Sequence, residues 1–148
     1  MQIADFLAGL YSECINRSLL LAGVLLHDIG KGREFSLSEL GLVTDYSAEG
    51  NLLGHLVIGA GEAAAVAAEL GIPAEKSLLL QNLILSHHGK PEHWAAVIPK
   101  CAEATLLTYI DGLDSRMEIY REQLLNIKPG EFSGQIFALD RGMIYRHF

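Results

Sequence analysis

Cysteine and basic charge are scarce in this sequence of 148 residues. Its two cysteines, Cys14 and Cys101, stand far apart and form no CxxC pair, which argues against a disulfide scaffold and a thiolate zinc site. Lysine and arginine together number 11 against 18 aspartates and glutamates, giving a net charge of −7. The whole chain is therefore not a strongly basic nucleic-acid binder.

Long apolar runs are also scarce, because Asp28 and Lys31 interrupt the longest one before it reaches membrane-spanning length. The first residues lack the basic segment that begins a secretory signal. We therefore expect a cytoplasmic protein without a membrane partner.

What the sequence does contain is enough apolar material, 50% of its residues, to build a hydrophobic core in one domain. Apolar residues recur at helical spacing along most of the chain. The predicted helices are 3–14, 17–28, 51–70, 75–88 and 101–125, with a connection over 33–49 that holds about one helical turn. Two short strands are predicted at 136–139 and 143–145. The expected fold is one all-α domain over 1–148, with a helical core over about 1–128 and a small β-hairpin within about 130–148.

The polar pair His27-Asp28 ends an otherwise apolar helix. Burying both side chains without partners would be costly. A divalent metal would serve both at once, because imidazole and carboxylate are standard metal ligands. The alternative is a capping pair, in which Asp28 binds a neighbouring amide and His27 sits at the helix C-terminus. Taken alone, the dipeptide does not decide between these readings.

Three other predicted helices carry histidine or aspartate in the same way. His87 and His88 close one apolar helix, and His55 lies inside another that is rich in small residues. Asp111 interrupts the last long helix, with Asp114 one turn later on the same face.

Each of these features also has an ordinary explanation. The histidine pair can be one buried and one exposed residue, and His55 can be a hydrogen-bonded core histidine. The two aspartates can face solvent or pair with Arg116 or Lys100. Their joint occurrence on four helices favours a metal site instead, because helical bundles build such sites from facing helices. The six candidate ligands are His27, Asp28, His55, His87, His88 and Asp111.

Six ligands are too many for one tetrahedral metal but suit two metals that share a carboxylate. Two-metal sites are suited to phosphoester hydrolysis, in which the metals activate water and hold the phosphate oxygens. Lys31 follows Asp28 by three residues and is a candidate phosphate contact. Equally, it can be a lysine that satisfies carbonyl groups at a helix C-terminus.

With these residues in view, the chain resembles the HD-domain metal-dependent phosphohydrolases. The segment LLHDIGK at 25–31 matches their central motif, and GH at 54–55, SHHGK at 86–90 and IDGLD at 110–114 extend the match. Together with GEF at 130–132 and IFALD at 136–140, they resemble the YhaM-type branch of bacterial 3′-to-5′ exoribonucleases. The resemblance spans about 3–145.

The resemblance implies a metal-dependent phosphodiesterase that acts on RNA 3′ ends or a nucleotide. It implies that His27, Asp28 and Asp111 hold a first metal, that Asp28 bridges, and that Asp28 and Lys31 are the catalytic residues. The second metal would then be held by His55, His87 and His88. The implied metal is Mn²⁺, with Fe, Mg, Ni or Zn as alternatives, and the nucleophile is a hydroxide generated at the metals.

The sequence departs from that family pattern in its first part. The family places a histidine on the helix before the HD pair, but the helix predicted at 3–14 has none, and no oligonucleotide-binding domain precedes it. We therefore expect this chain to be the C-terminal portion of a longer enzyme or the product of a downstream translation start. The alternative function is a catalytically impaired HD module that binds a metal, a nucleotide or a protein partner as a regulator.

Several residues carry weaker predictions. His93 and Arg116 are candidate substrate contacts, although a surface loop position and a salt bridge are their ordinary roles. Trp94 can stack on a base or cap the core. Phe6 and Leu10 lie on the first helix and need cover, which predicts association with a second copy of the chain.

Overall fold

The computed structural model describes residues 1–148, which form six α-helices, one pair of strands and two short 3-10 turns. The helices are α1 (Gln2–Leu10), α2 (Arg17–Leu26), α3 (Lys31–Glu34), α4 (Ala48–Glu69), α5 (Ala74–Ser86) and α6 (Ala102–Leu124). The strands are β1 (Phe35–Leu37) and β2 (Val43–Tyr46), and the 3-10 turns are Pro91–His93 and Phe137–Leu139. The chain divides into two compact units, Met1–Ile110 and Asp111–Phe148. The prediction of one domain over 1–148 stays a prediction.

Side-chain caps fix where two helices of the first unit begin. The Asn16 side chain accepts a hydrogen bond from the Leu19 amide at 3.1 Å before α2, and Ser47 accepts one from the Gly50 amide at 2.9 Å before α4. Such caps satisfy amides that have no partner inside the helix. The predicted helices are therefore present, with ends that differ by a few residues from the prediction.

The core of the first unit is built around α5 and the first half of α6. Leu20, Leu83, Ala104, Leu107 and Ile110 are buried in one cluster together with Ala4 and Ala8. Helix α2 approaches α5 closely at Gly23, where a Cβ atom would overlap the Leu83 side chain. This packing holds the C-terminal ends of α2 and α5 in the same region of the unit.

The only regular strand pair lies at 35–46, in the segment for which the sequence predicted a connection. The predicted helical turn is present there as α3, and β1 and β2 follow it as an antiparallel hairpin in which Phe35 pairs with Tyr46. All four residues of β2 are exposed, so this strand presents no face to the core. The fold class is confirmed: the chain is helical with a small antiparallel hairpin.

The second unit has its own small core, formed by Ile127, Leu139 and Ile144. The strands predicted at 136–139 and 143–145 do not form a regular pair. Two isolated antiparallel bridges, Phe132 with Tyr145 and Ile136 with Gly142, connect the segment instead. Phe137–Leu139 turns as a 3-10 helix, and Asp140 and Arg141 both have positive φ angles. The 3-10 turn occupies the first predicted strand, so no regular strand pair forms there.

Helix α4 passes a test of length and composition for a membrane-spanning segment. Its 22 residues and its mean hydropathy of 1.3 over the most apolar window make it long and apolar enough to cross a membrane. That is weak evidence, because core helices pass the same test.

Gly54 interrupts α4 with a non-helical backbone, and His55 follows it.

Candidate metal centre

His27 and Asp28 lie where α2 ends and the chain turns towards α4. His27 is the C-cap of α2, and 27–30 form a turn that leads into α3. Gly30 in this turn packs against α4, because a Cβ atom there would overlap the His55 carbonyl oxygen and lie 2.8 Å from the Gly59 amide nitrogen. Only a glycine allows this approach, which brings Asp28 close to His55.

Two histidines at helix ends are oriented by backbone carbonyls. His27 Nδ1 lies 3.0 Å from the Val24 oxygen, and His87 Nδ1 lies 2.8 Å from the Ile84 oxygen. A carbonyl can only accept a hydrogen bond, so each Nδ1 carries the proton. Each Nε2 is then the metal-binding nitrogen, and the ligand atoms of the two residues lie within 4.8 Å of each other.

His55 is oriented by a buried carboxylate, Glu34. Gly54 has a φ of 71°, a value that favours glycine, and it breaks α4 just before His55. The break allows the His55 amide and Nδ1 to donate to Glu34 Oε1 at 2.9 and 3.0 Å. Carboxylate-bound histidines of this kind are typical of metal sites, because the bond fixes the ring and makes Nε2 a stronger ligand.

The Asp28 carboxylate lies between these three imidazoles. Its Oδ2 is 3.4 Å from His27 Nε2, and its Oδ1 is 3.7 Å from both His55 Nε2 and His87 Nε2. Two ligand atoms that bind one metal at about 2.1 Å in a tetrahedral arrangement stand about 3.4 Å apart.

A test of whether these residues fit a metal comes from their hydrogen bonds. Asp28 Oδ1 and His55 Nε2 are buried and have no hydrogen-bond partner. The two atoms face each other at 3.7 Å. Both can only accept a hydrogen bond, because the proton of His55 is on Nδ1 and the Asp28 carboxylate is ionised. Buried acceptors without a donor are costly, and a cation between them would remove the cost. The residues therefore fit a divalent metal.

The electrostatics of the cluster favour the metal-binding forms of its side chains. Burial alone would raise the pKa of Asp28, but the 2.7 Å hydrogen bond from Lys31 and the neighbouring charges outweigh it and hold the pKa below its usual value. Burial lowers the pKa of His87 to about 4. Asp28 is therefore charged and His87 neutral at neutral pH, the forms that bind metals.

His88 lies next to His87 and His55. The ligand atoms of His55, His87 and His88 all lie within 4.8 Å of one another. The His88 ring centroid lies 4.3 Å from that of His87 and 5.3 Å from that of His55. The sequence-predicted second ligand set is thus brought together by α4 and the end of α5.

Asp111 is the first residue of the second unit and is half-buried. It lies in α6, directly after Ile110. Asp114 is exposed. The role of Asp111 as a ligand stays a prediction.

The candidate substrate contacts are all exposed. Lys31 is bound to Asp28 rather than to helix carbonyls, and His93 ends the 3-10 turn. Arg116 pairs with Asp140 at 3.6 Å within the second unit. Trp94 is 85% exposed, so it does not cap the core.

Sequence reasoning missed Glu34, which is only 6% exposed and orients His55. A lone glutamate after a lysine, a glycine and an arginine has no pattern that separates it from a solvent-facing acid. Its burial and its bonds to His55 become visible only in three dimensions.

Comparison with known proteins defines the class of this site. The model of the HD domain family matches residues 1–116, and the chain belongs to this family. No solved structure matches the chain.

Within the curated proteins, the chain is similar to 3′-5′ exoribonucleases named YhaM. It is 46% identical to the one from Bacillus licheniformis over 146 residues, and 45% identical to the one from Bacillus subtilis strain 168 over the same length. Each match covers 99% of this chain and 45% of the relative. The chain therefore spans less than half the length of these relatives.

Proposed function

We propose that this chain is a metal-dependent phosphohydrolase that cleaves phosphodiesters at RNA 3′ ends or in a nucleotide. The observation that carries the proposal is the convergence of three imidazoles on the Asp28 carboxylate, with buried acceptors at Asp28 Oδ1 and His55 Nε2. Membership of the HD domain family and the similarity to YhaM exoribonucleases support it.

The proposed ligand sets follow the resemblance to the family pattern. His27, Asp28 and Asp111 would hold one metal, and His55, His87 and His88 the other, with Asp28 shared between them. We propose Mn²⁺ as the metal, with Fe, Mg, Ni and Zn as alternatives. When bound, such a metal supplies Lewis acidity that makes hydroxide available near neutral pH and polarises a phosphoryl oxygen.

The remaining residues of the site bind and orient. The Lys31 ammonium is exposed beside Asp28 and can contact a substrate phosphate while it keeps Asp28 ionised. Glu34 holds the His55 ring so that Nε2 faces Asp28. His93 and Arg116 stay candidate substrate contacts. The proposed substrate is found in the cytoplasm, and we propose that compartment for the reaction.

Hydrolysis of a short, 5′-labelled RNA with added Mn²⁺ tests this function. We expect products shortened from the 3′ end, no products with chelator, and no products from Asp28→Ala. The control is His147→Ala, which removes an exposed histidine of the second unit and should keep full activity. Activity of Asp28→Ala at the wild-type rate would contradict the proposal.

A second candidate, an impaired HD module that binds a ligand without turnover, is favoured by one feature. Helix α1 carries no histidine, so the proposed first ligand set is one residue shorter than in the family pattern. Metal and nucleotide binding by calorimetry, with no hydrolysis at any metal concentration, would support this candidate over the first.

Self-association also stays a prediction, because Phe6 and Leu10 on α1 are largely exposed. The molar mass by light scattering tests it. A dimer that Phe6→Ser converts to a monomer would support the prediction, and a monomeric wild type would contradict it.

A further inference from the structure

We propose that Trp94 is a stacking platform for a nucleobase of the substrate, so that the site selects phosphodiesters that carry a base. This inference rests on the proposed function. It assigns a specificity-determining role to a residue outside the candidate metal centre.

The conformation of Trp94 is the first observation. Its φ is 69° and its ψ is 17°, a left-handed conformation that bulky side chains rarely adopt. Trp94 is 85% exposed, so burial of its ring does not offset the backbone strain. Strained residues of this kind cluster at binding sites, where the surrounding structure holds them.

The loop that holds Trp94 follows His88 in the chain and is attached to the last turn of α5. The Trp94 amide donates to the Pro91 oxygen at 2.9 Å, which closes the 3-10 turn. Ala95 is buried, and the Ala96 amide donates to the Leu85 oxygen at 3.0 Å. Leu85 lies in the last turn of α5, two residues before His87, so this hydrogen bond attaches the loop to the end of the helix that carries His87.

Polar side chains beside Trp94 can contact a phosphate. Lys90 and His93 are exposed on the same short loop, where the Lys90 ammonium and a ring N–H of His93 can donate hydrogen bonds to phosphate oxygens, and Glu92 lies between them. An exposed aromatic ring next to a cationic side chain is how proteins bind single-stranded nucleic acid, since the base stacks and the cation contacts the backbone. No base-specific hydrogen bonding is required, so we expect stacking without strong sequence preference.

Fluorescence tests the contact directly, because Trp94 is the single tryptophan of the chain. The probes are a tetra-adenylate RNA and the same RNA with a base-free 3′-terminal residue, both with Mg²⁺. We expect the first RNA to quench the Trp94 emission and the base-free one to leave it nearly unchanged. Equal quenching by both, or by neither, would overturn the inference.

Kinetics on the same two substrates provide the second test. Trp94→Gly should lower kcat/KM for the ordinary RNA by about 5- to 150-fold, which corresponds to the usual stacking energy of one base. It should leave the base-free substrate unchanged, and Trp94→Phe should keep most of the activity. Glycine also suits the left-handed backbone, so Trp94→Gly should melt no lower than wild type.

The matched control is Phe137→Ala, which removes an aromatic ring that is also 85% exposed but lies in the second unit. It should change neither substrate's kcat/KM. An equal loss on both substrates in Trp94→Gly, or no loss on either, would overturn the stacking role. If wild type cleaves neither RNA, the proposed function fails, while the quenching experiment still decides whether Trp94 stacks.

Discussion

At the scale of single residues, the geometry of the cluster depends on which nitrogen of each histidine carries its proton. The carbonyls of Val24 and Ile84 accept from His27 and His87, and the carboxylate of Glu34 accepts from His55. In all three rings the proton is on Nδ1, and Nε2 faces Asp28. The ligand types were visible in the sequence, but these orientations were not, because they depend on helix ends and on a buried acid.

The Glu34 carboxylate should control metal affinity through His55. Glu34→Ala should weaken metal binding by about 10- to 100-fold, the usual effect of losing such a partner. Glu34→Gln should weaken it less, because its amide oxygen still accepts from His55. Metal dissociation constants from calorimetry test this, with Glu39→Gln at an exposed position as the control. Unchanged affinity in Glu34→Ala would refute the positioning role.

Burial of His87 predicts a pH-dependent stability of the metal-free protein. The pKa of His87 is lowered from 6.5 to about 4, so the unfolded chain binds the proton more readily than the folded one. The contribution of His87 to the free energy of unfolding is fully present above pH 6.5 and is lost as the pH falls towards about 4.

Urea unfolding in chelator, from pH 8 down to pH 4, measures this effect. The decrease in unfolding free energy below pH 6.5 should be smaller in His87→Asn than in wild type or in His147→Asn. Identical pH profiles in all three proteins would show that His87 is not a buried neutral imidazole.

At the scale of elements, apolar spacing predicted the long helices well because α2, α5 and α6 bury apolar faces. It failed where local geometry decides. Gly54 interrupts α4 without a change in hydrophobic pattern. The strands at 35–37 and 43–46 are too short for an alternation of apolar and polar residues to identify them. At 136–145, the 3-10 turn Phe137–Leu139 replaces the extended backbone that the first predicted strand requires.

The turn at 27–30 lies close to α4, and this close approach gives a prediction at the scale of elements. Gly30→Ala places a Cβ atom against the His55 backbone and should lower stability by about 1–3 kcal/mol, as overpacking does. It should also weaken metal binding, because His55 must move.

Gly32→Ala is the matched control, since a Cβ atom there meets nothing within 4 Å and the residue is helical. It should leave stability unchanged or raise it by up to about 1 kcal/mol. Thermal unfolding measures both variants. A Gly30→Ala protein as stable as Gly32→Ala would contradict the packing described for this turn.

At the scale of the whole molecule, the net charge of −7 limits what this chain can bind by itself. Proteins that grip long nucleic acids do so through many cationic contacts, and each contact adds to the salt dependence of binding. This chain has 11 lysines and arginines, and Arg17, Arg33 and Arg121 are already paired with acids. We therefore expect recognition to be confined to the few nucleotides at the site.

Affinity for RNA should accordingly be nearly independent of RNA length. A 4-nucleotide and a 20-nucleotide RNA with the same 3′ end should bind this chain with dissociation constants that agree within about threefold, and salt should weaken both only slightly. Fluorescence titrations between 50 and 200 mM salt test this. A tenfold or larger gain for the longer RNA would reveal a cationic surface that the charge distribution does not predict.

The central claim is that the side chains around Asp28 form a metal centre, and metal content tests it most directly. Elemental analysis of chain loaded with Mn²⁺ and freed of excess should find one to two metals per chain in wild type. Asp28→Ala should retain none, and His147→Ala should match wild type. Equal metal content in wild type and Asp28→Ala, or no metal in either, would contradict the account.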